Sequence, residues 1–313
     1  QDAPNGVWEQ YNEQLKKLIN SDFSPATYER YCTALKHTED FILWKYQVSD
    51  MPVKQIDHEF ITEFEFYLKT ERKCCHNTAM KYITNFKKII LICTKNKWLI
   101  ENPFVDYKIT LTDVERECLL ENEIQNIVDK EFEMQRLNQV KDIFLFCCFT
   151  GLAYADVKKM TKEHIITGID GEKWIKTKRT KTNTRSSIPL LPMASAILDK
   201  YANDIKCKAK NKLLPVLSNQ KMNSYLKEIA AVCGINKNIT FHLARHTFAT
   251  TVTLTNGVPI ETVSKMLGHK SLKTTQIYAK IIDRKVSDDM KILKEKFNHV
   301  SSVKSQISLK KAV

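Results

Sequence analysis

Residues 241–250 read FHLARHTFAT and residues 266–278 read MLGHKSLKTTQIY, and these two stretches decide how the rest of the chain is read. In the first, His242 and Arg245 stand three apart within a helical pattern, so both side chains leave one helix face and can converge on one anion. In the second, Gly268 is placed to end a helix and to aim His269 from the turn that follows. Tyr278 lies nine residues beyond His269. Taken singly these features say little, because a lone helical histidine is more often structural and a lone tyrosine is more often core. Their joint order and spacing carry the information.

Together, HxxRH followed by LGH and a tyrosine nine residues later resembles the C-terminal signature of the tyrosine recombinase (phage integrase) family. Integrases of conjugative and mobilisable elements are the members it resembles most. The resemblance extends over residues 115–298. More loosely it covers the first part of the chain, which is similar to the family's core-type DNA-binding domain. It implies a site-specific recombinase or integrase that cuts and rejoins DNA through a 3′-phosphotyrosine on Tyr278, with no metal and no cofactor. Exchange of one phosphodiester for another is close to energy-neutral, so no ATP is required. Four protomers exchanging strands through a four-way junction also follow from the resemblance. Two rival readings stay open: a type IB topoisomerase-like strand transferase, and a DNA-binding protein that has lost catalysis.

The chemistry accounts for the residue types. A tyrosine hydroxyl with a free pKa of about 10 is a weak nucleophile and needs an activated phosphate. Arg245 supplies a planar two-pronged donor for the non-bridging oxygens, which lysine cannot reproduce. His242 and His269 donate hydrogen bonds, and His242 is also suited to moving the Tyr278 proton. The family uses a lysine in a loop between two strands to protonate the departing 5′ hydroxyl. Here the stretch Arg179-Thr-Lys181-Thr-Asn-Thr-Arg-Ser-Ser-Ile-Pro-Leu resembles that hairpin, and Lys181 is preferred over Lys178 or Lys176 for the role. The alternative is that these lysines only contact phosphates.

One position departs from the family's pattern. The usual first arginine follows a Thr-Gly-Leu turn, yet here Thr150-Gly151-Leu152 is followed by Ala153, which offers no donor. Asp156 matches the acidic position three residues on that supports the site in the family. Arg179 is the candidate replacement, on the argument that it lies two residues before Lys181 and that i and i+2 on a strand face the same side. Its alternative reading is a general DNA contact.

Charge agrees with a polyanionic partner. The 313 residues carry a net charge of +13, but residues 1–108 hold 15 basic and 15 acidic side chains, against 34 and 21 after that point. The densest stretch is 171–212, which includes Lys176, Lys178 and Arg185. A basic face of this kind points to nucleic acid first and to an anionic membrane second. No apolar run approaches the ~20 residues that span a bilayer. No signal-peptide pattern opens the sequence, and a start on Gln1 without Met suggests a segment upstream. Nine cysteines at irregular spacing read as reduced thiols in a cytoplasmic protein. Cys74-Cys75-His76 invites a metal reading, but no second ligand pair stands at zinc-site spacing.

The predicted architecture is two-domain. Residues 1–108 form an all-α bundle of the core-type DNA-binding kind, 109–115 a linker whose composition already begins near 104, and 116–300 a mixed α+β, mostly helical catalytic domain. In the bundle, Ser24-Pro25 opens a helix to about Gln47, Asp57 caps one to about Glu71, and Asn77 caps one ending near Asn96. Ile83, Phe86, Ile90 and Cys93 form the buried face of the last, with Lys81, Lys88 and Lys95 nearly opposite as a stripe for DNA phosphates or plain solvent. In the second domain, helices over about 121–130 and 138–150 precede short segments 163–168, 172–178 and 184–189, which predict a small antiparallel sheet. The tail 301–313 carries Ile307 and Leu309 among polar residues and suits docking on a neighbouring protomer, against the alternative that it is disordered.

Overall fold

A computed structural model describes residues 4–114, 116–278 and single positions between 287 and 297; the 301–313 tail lies outside the described residues. The chain divides into two compact units, with the boundary between 115 and 116. Each has its own hydrophobic core.

The first unit is a bundle of four helices: α1 (Pro4–Lys17), α2 (Pro25–Tyr46), α3 (His58–Thr70) and α4 (His76–Lys95). Aromatic rings build its centre. Phe41 meets Phe60 at 5.0 Å and Phe64 at 5.2 Å, while Phe86 stacks on Phe60 at 5.5 Å and on Trp8 at 5.9 Å. Asp57 caps α3 as expected, its carboxylate accepting from the Phe60 N–H at 2.8 Å. Ile83, Phe86, Ile90 and Cys93 are buried, and Lys81, Lys88 and Lys95 are exposed.

Two expectations are corrected here. Asn77 does not cap α4, which already begins at His76 behind Cys75. Its amide instead bonds Thr112 in both directions, accepting from the backbone N–H at 2.9 Å and donating to the carbonyl at 2.8 Å. The linker-like stretch from 104 is likewise held on the bundle. Phe104 is 2% exposed and packs edge-on against Phe86 at 6.1 Å, and His76 Nε2 lies 2.9 Å from the Thr110 carbonyl. Burial of one large aromatic outweighs the weak local preference of the segment that follows Pro103, because it contributes roughly 1.5–3 kcal/mol.

The second unit is built around α6 (Gln135–Thr150), which starts earlier than the predicted 138 and is buried almost all round. Before it comes α5 (Glu121–Asp129), and after it α7 (Tyr154–Lys159). A three-stranded antiparallel sheet follows in the order β1 (Ile165–Thr167), β2 (Lys173–Lys178), β3 (Arg185–Pro189). Period-two alternation sorts β2, turning Ile175 and Thr177 inward and Lys176 and Lys178 outward. Helices α8 (Pro192–Tyr201), α9 (Ile205–Ala209) and α10 (Asn219–Val232) lead to α11 (Phe241–Thr247). There the helix widens into π-helical turns over Phe248–Leu254, which the sequence did not announce. Last come α12 (Ile260–Leu267) and α13 (Leu272–Gln276). Among the described residues no helix is long and apolar enough to cross a membrane.

Candidate active site

The site forms where α11, the end of α12 and the β2–β3 hairpin meet. Arg245 is 3% exposed, with Nη1 donating to the Gly151 carbonyl and Nη2 to the Leu267 carbonyl, both at 2.6 Å. Both acceptors stand beside glycine positions in the left-handed region. Gly151 (φ +67°) closes α6, and a Cβ there would collide with Phe248 and Leu267. Gly268 (φ +62°) closes α12 as the sequence predicts, and its turn delivers His269. The His269 ring sits between two partners, with Nε2 3.0 Å from Arg245 Nη2 and Nδ1 2.8 Å from Thr275 Oγ1.

Arg179 joins this group. Its Nη1 donates to the same Leu267 carbonyl at 2.8 Å, and its Nε pairs with Asp156 Oδ2 at 3.0 Å, though aligned off the hydrogen-bond direction. Asp156, 1% exposed, is engaged on its other oxygen by the Thr180 N–H at 2.7 Å and the Thr180 hydroxyl at 2.8 Å. The acid at the Ala153 turn therefore holds the hairpin that carries Arg179. The strand argument for Arg179 needs correction, however. β2 ends at Lys178, so Lys181 lies in the turn and is exposed, while the Arg179 side chain is only 11% exposed. The two do not share a strand face. What buries Arg179 is its ion pair, not strand alternation.

Tyr278 is 6% exposed, with its ring parallel to His269 at 5.9 Å and tilted against His246 at 4.9 Å. Thr250, in the π-helical turns, donates its hydroxyl to the Tyr278 carbonyl at 3.3 Å. His242 reaches the surface and meets His246 edge-on at 4.8 Å, so His246 stands between His242 and the tyrosine. The sequence reading named His246 only as part of the motif. Its place against Tyr278 depends on a contact 32 positions away, and no local signal marks it. Buried, its Nε2 has no hydrogen-bond partner among the described residues.

Electrostatics of the site are one-sided. Burial, then Arg179, pushes the Arg245 pKa down to about 10, against an opposing pull from Tyr278. Burial and neighbouring positive charge lower His269 to about 4, and burial with His242, Arg116 and Arg245 does the same to His246. Shielding, then the charges of Arg116, Arg245, Arg179 and Lys181, holds His242 below its usual value. Arg116, just past the unit boundary, is a contributor that sequence reading missed. Among the described residues Arg245 has no carboxylate partner, and Asp156, which pairs with Arg179, also lies 3.7 Å from Lys159. Buried charges are normally matched, so the site holds an excess of positive charge that a phosphodiester would neutralise.

Lys176, Lys178 and Arg185 lie exposed along the sheet. The remaining predicted DNA contacts, Lys81, Lys88 and Lys95, are in the first unit.

Comparison with known proteins agrees with this geometry. The model of the phage integrase SAM-like domain matches residues 6–109, and that of the phage integrase family matches residues 117–284. A tyrosine recombinase of Pseudothermotoga lettingae is 24% identical over 262 residues, covering 79% of this chain and 86% of its own. The tyrosine recombinase XerA of Saccharolobus solfataricus is 27% identical over 278 residues, covering 87% and 88%. Among solved structures, the Tn1549 transposon integrase in complex with circular intermediate DNA superposes with a TM-score of 0.72 at 13% identity, covering 93% and 99%. A lambda integrase tetramer bound to a Holliday junction gives 0.69 at 16%, covering 88% and 77%. With over half of its length matched by one family model, the chain belongs to the phage integrase family and is a site-specific DNA recombinase of the tyrosine type.

Proposed function

We propose that Tyr278 is the nucleophile and that Arg245 and Arg179 together hold the scissile phosphate. The observation that carries this reading is the excess of positive charge around the shared Leu267 carbonyl, beside His269, whose ring stacks 5.9 Å from that of Tyr278. Tyr278 Oη attacks phosphorus, the bond to the 5′ oxygen breaks, and a 3′-phosphotyrosine forms. The tyrosine proton passes to His242 by way of His246, whose ring stands between them, and Lys181 protonates the departing 5′ oxygen. Arg245, Arg179 and His269 stabilise charge on the non-bridging oxygens, with Asp156 seating the hairpin. Attack by a partner strand's 5′ hydroxyl reverses these steps and completes exchange.

Lys81, Lys88, Lys95, Lys176, Lys178 and Arg185 contact the DNA backbone in this reading. The working assembly is a tetramer on two duplexes, and the enzyme moves a mobile element within the cytoplasm. Residues 1–108 act as the DNA-binding half of the clamp, 109–115 as its connection and 116–300 as the catalytic half.

A nicked duplex that loses its 5′-hydroxyl fragment on cleavage tests the assignment. The chain forms a covalent adduct with it that resists denaturation. Tyr278→Phe abolishes that adduct and leaves DNA affinity nearly unchanged, since the ring still packs and only the nucleophilic oxygen is gone. An adduct that survives in Tyr278→Phe removes Tyr278 from the role.

A further inference from the structure

Beside the Gly268–His269 turn lies a pocket of about 360 Å³ in the catalytic unit, and His269, which meets Arg245 at 3.0 Å, also lines it. Arg185, Lys265, Lys270 and Ser271 line it together with His269 and one carboxylate, Glu261. Among the described residues none of the three cations has an ion-pair partner, although ion pairs occur elsewhere on this unit. Three cations against one carboxylate, gathered in a concave space, form a site for a compact anion.

Its position relative to the scissile site is set by one turn of chain. Gly268 packs so closely between the pockets that a Cβ there would stand 2.9 Å from Arg179 Cγ and 3.3 Å from the Arg185 carbonyl. Arg179 and Arg185 are the two ends of the same hairpin, closed by the Arg179 N–H bond to the Thr184 carbonyl at 2.8 Å. Ser186, next to Arg185, donates its hydroxyl to the Met266 carbonyl and pins β3 to the end of α12. One side of the hairpin loop thus reaches the Leu267 carbonyl that Arg245 also holds, and the other lines the pocket of Lys265 and Lys270. A polyanion with charges repeating along its length suits two adjoining cationic sites, and a DNA strand is such a polyanion, with one phosphate per ~3.4 Å of helix axis.

We propose that the Arg185–Lys265–Lys270 pocket is a second phosphate subsite, which takes the backbone phosphate adjoining the one that is cleaved. This rests on the reading of Tyr278 and Arg245 as the cleavage site and adds the substrate's register to it. Gripping two successive phosphates on either side of one turn fixes which phosphorus faces Tyr278. A single pocket leaves the strand free to slide by one step.

The test uses the full chain and a cognate duplex selected from a random-sequence library by covalent capture, so that the cleaved phosphate is known. Uncharged methylphosphonate groups are then placed one at a time along the cleaved strand. In the unaltered protein, neutralising a phosphate next to the cleaved one weakens binding about tenfold, the scale of one charge-assisted contact. In Lys265→Ala/Lys270→Ala that penalty disappears, penalties at distant phosphates remain, and cleavage becomes distributed over neighbouring positions. A penalty retained in the variant, or lost evenly at all positions, overturns the proposal while leaving the recombinase reading intact. If the library yields no covalent capture, that reading fails, and a duplex of arbitrary sequence still tests the pocket. There the variant lowers the slope of log affinity against log salt by about 0.9, one phosphate's worth, and an unchanged slope overturns the proposal.

Discussion

Arg179 reaches the Leu267 carbonyl from the hairpin while Arg245 reaches it from α11, so two guanidiniums on separate elements aim at one place. Removing a preorganised donor to a developing oxyanion costs about 10²–10³ in rate, whereas removing a positioning contact mainly weakens binding. Arg179→Ala is therefore expected to slow single-turnover cleavage by that factor at saturating DNA, with only a modest loss of affinity. Arg179→Lys rescues poorly, because a point charge does not replace a planar fork. An arginine restored by Ala153→Arg in the Arg179→Ala background recovers cleavage. Normal cleavage by Arg179→Ala would make it an ordinary DNA contact. The histidines give a pH signature. His246 and His269 have folded pKa values of about 4 against 6.5 for the unfolded chain, so the unfolded state binds more protons below pH 6.5. Stability is full above pH 6.5 and falls as pH drops toward 4. Melting temperature measured from pH 7.5 to 5 declines, and His246→Gln declines less steeply. Equal slopes would exclude His246 as a source. At this scale the motif residues were legible because three-residue and nine-residue spacings are local. The ring contact of His246 and the charge of Arg116 were not, since each depends on distant chain.

At the scale of elements, the turn closing α12 carries the site. Gly268 is in the left-handed region and has no room for a Cβ. Gly268→Ala is expected to cost about 1–3 kcal/mol, read as a shift of the chemical-denaturation midpoint. Cleavage falls along with it, because the hairpin is displaced from the Leu267 carbonyl. A variant that keeps full cleavage would show that the hairpin tolerates the displacement. The helices α2 to α6, the β2–β3 hairpin and this cap were readable from periodicity, caps and turn residues, whereas α1 was not singled out. The π-helical turns after α11 were not, because their threonines answer to tertiary partners. Thr247 accepts from the Leu119 N–H at 3.0 Å, and Thr251 donates to the Leu119 carbonyl. The Asn77 amide was misread for the same reason, as its partner Thr112 lies 35 residues on.

For the whole molecule, the uneven charge has a measurable consequence. Each neutralised phosphate contributes about −0.9 to the slope of log affinity against log salt. The net positive charge lies wholly after residue 108. A fragment spanning 109–313 is expected to show the steeper slope, and a fragment spanning 1–108 the flatter one. The reverse order, measured on arbitrary duplex DNA between 50 and 200 mM salt, would mean that net charge misplaces the contacts.

The shared Leu267 carbonyl also bears on how such chains are sorted. What the geometry holds fixed is a point in space, marked by one oxygen, toward which a donor must be brought. Which stretch of polypeptide brings it is open. A diagnostic pattern that demands arginine after Thr150-Gly151-Leu152 would discard this chain as a dead enzyme, although on our proposal the guanidinium of Arg179 serves instead. If cleavage depends on Arg179 as proposed, sorting sequences by occupancy of that point, instead of by column, would move chains of this kind from the inactive group to the active one.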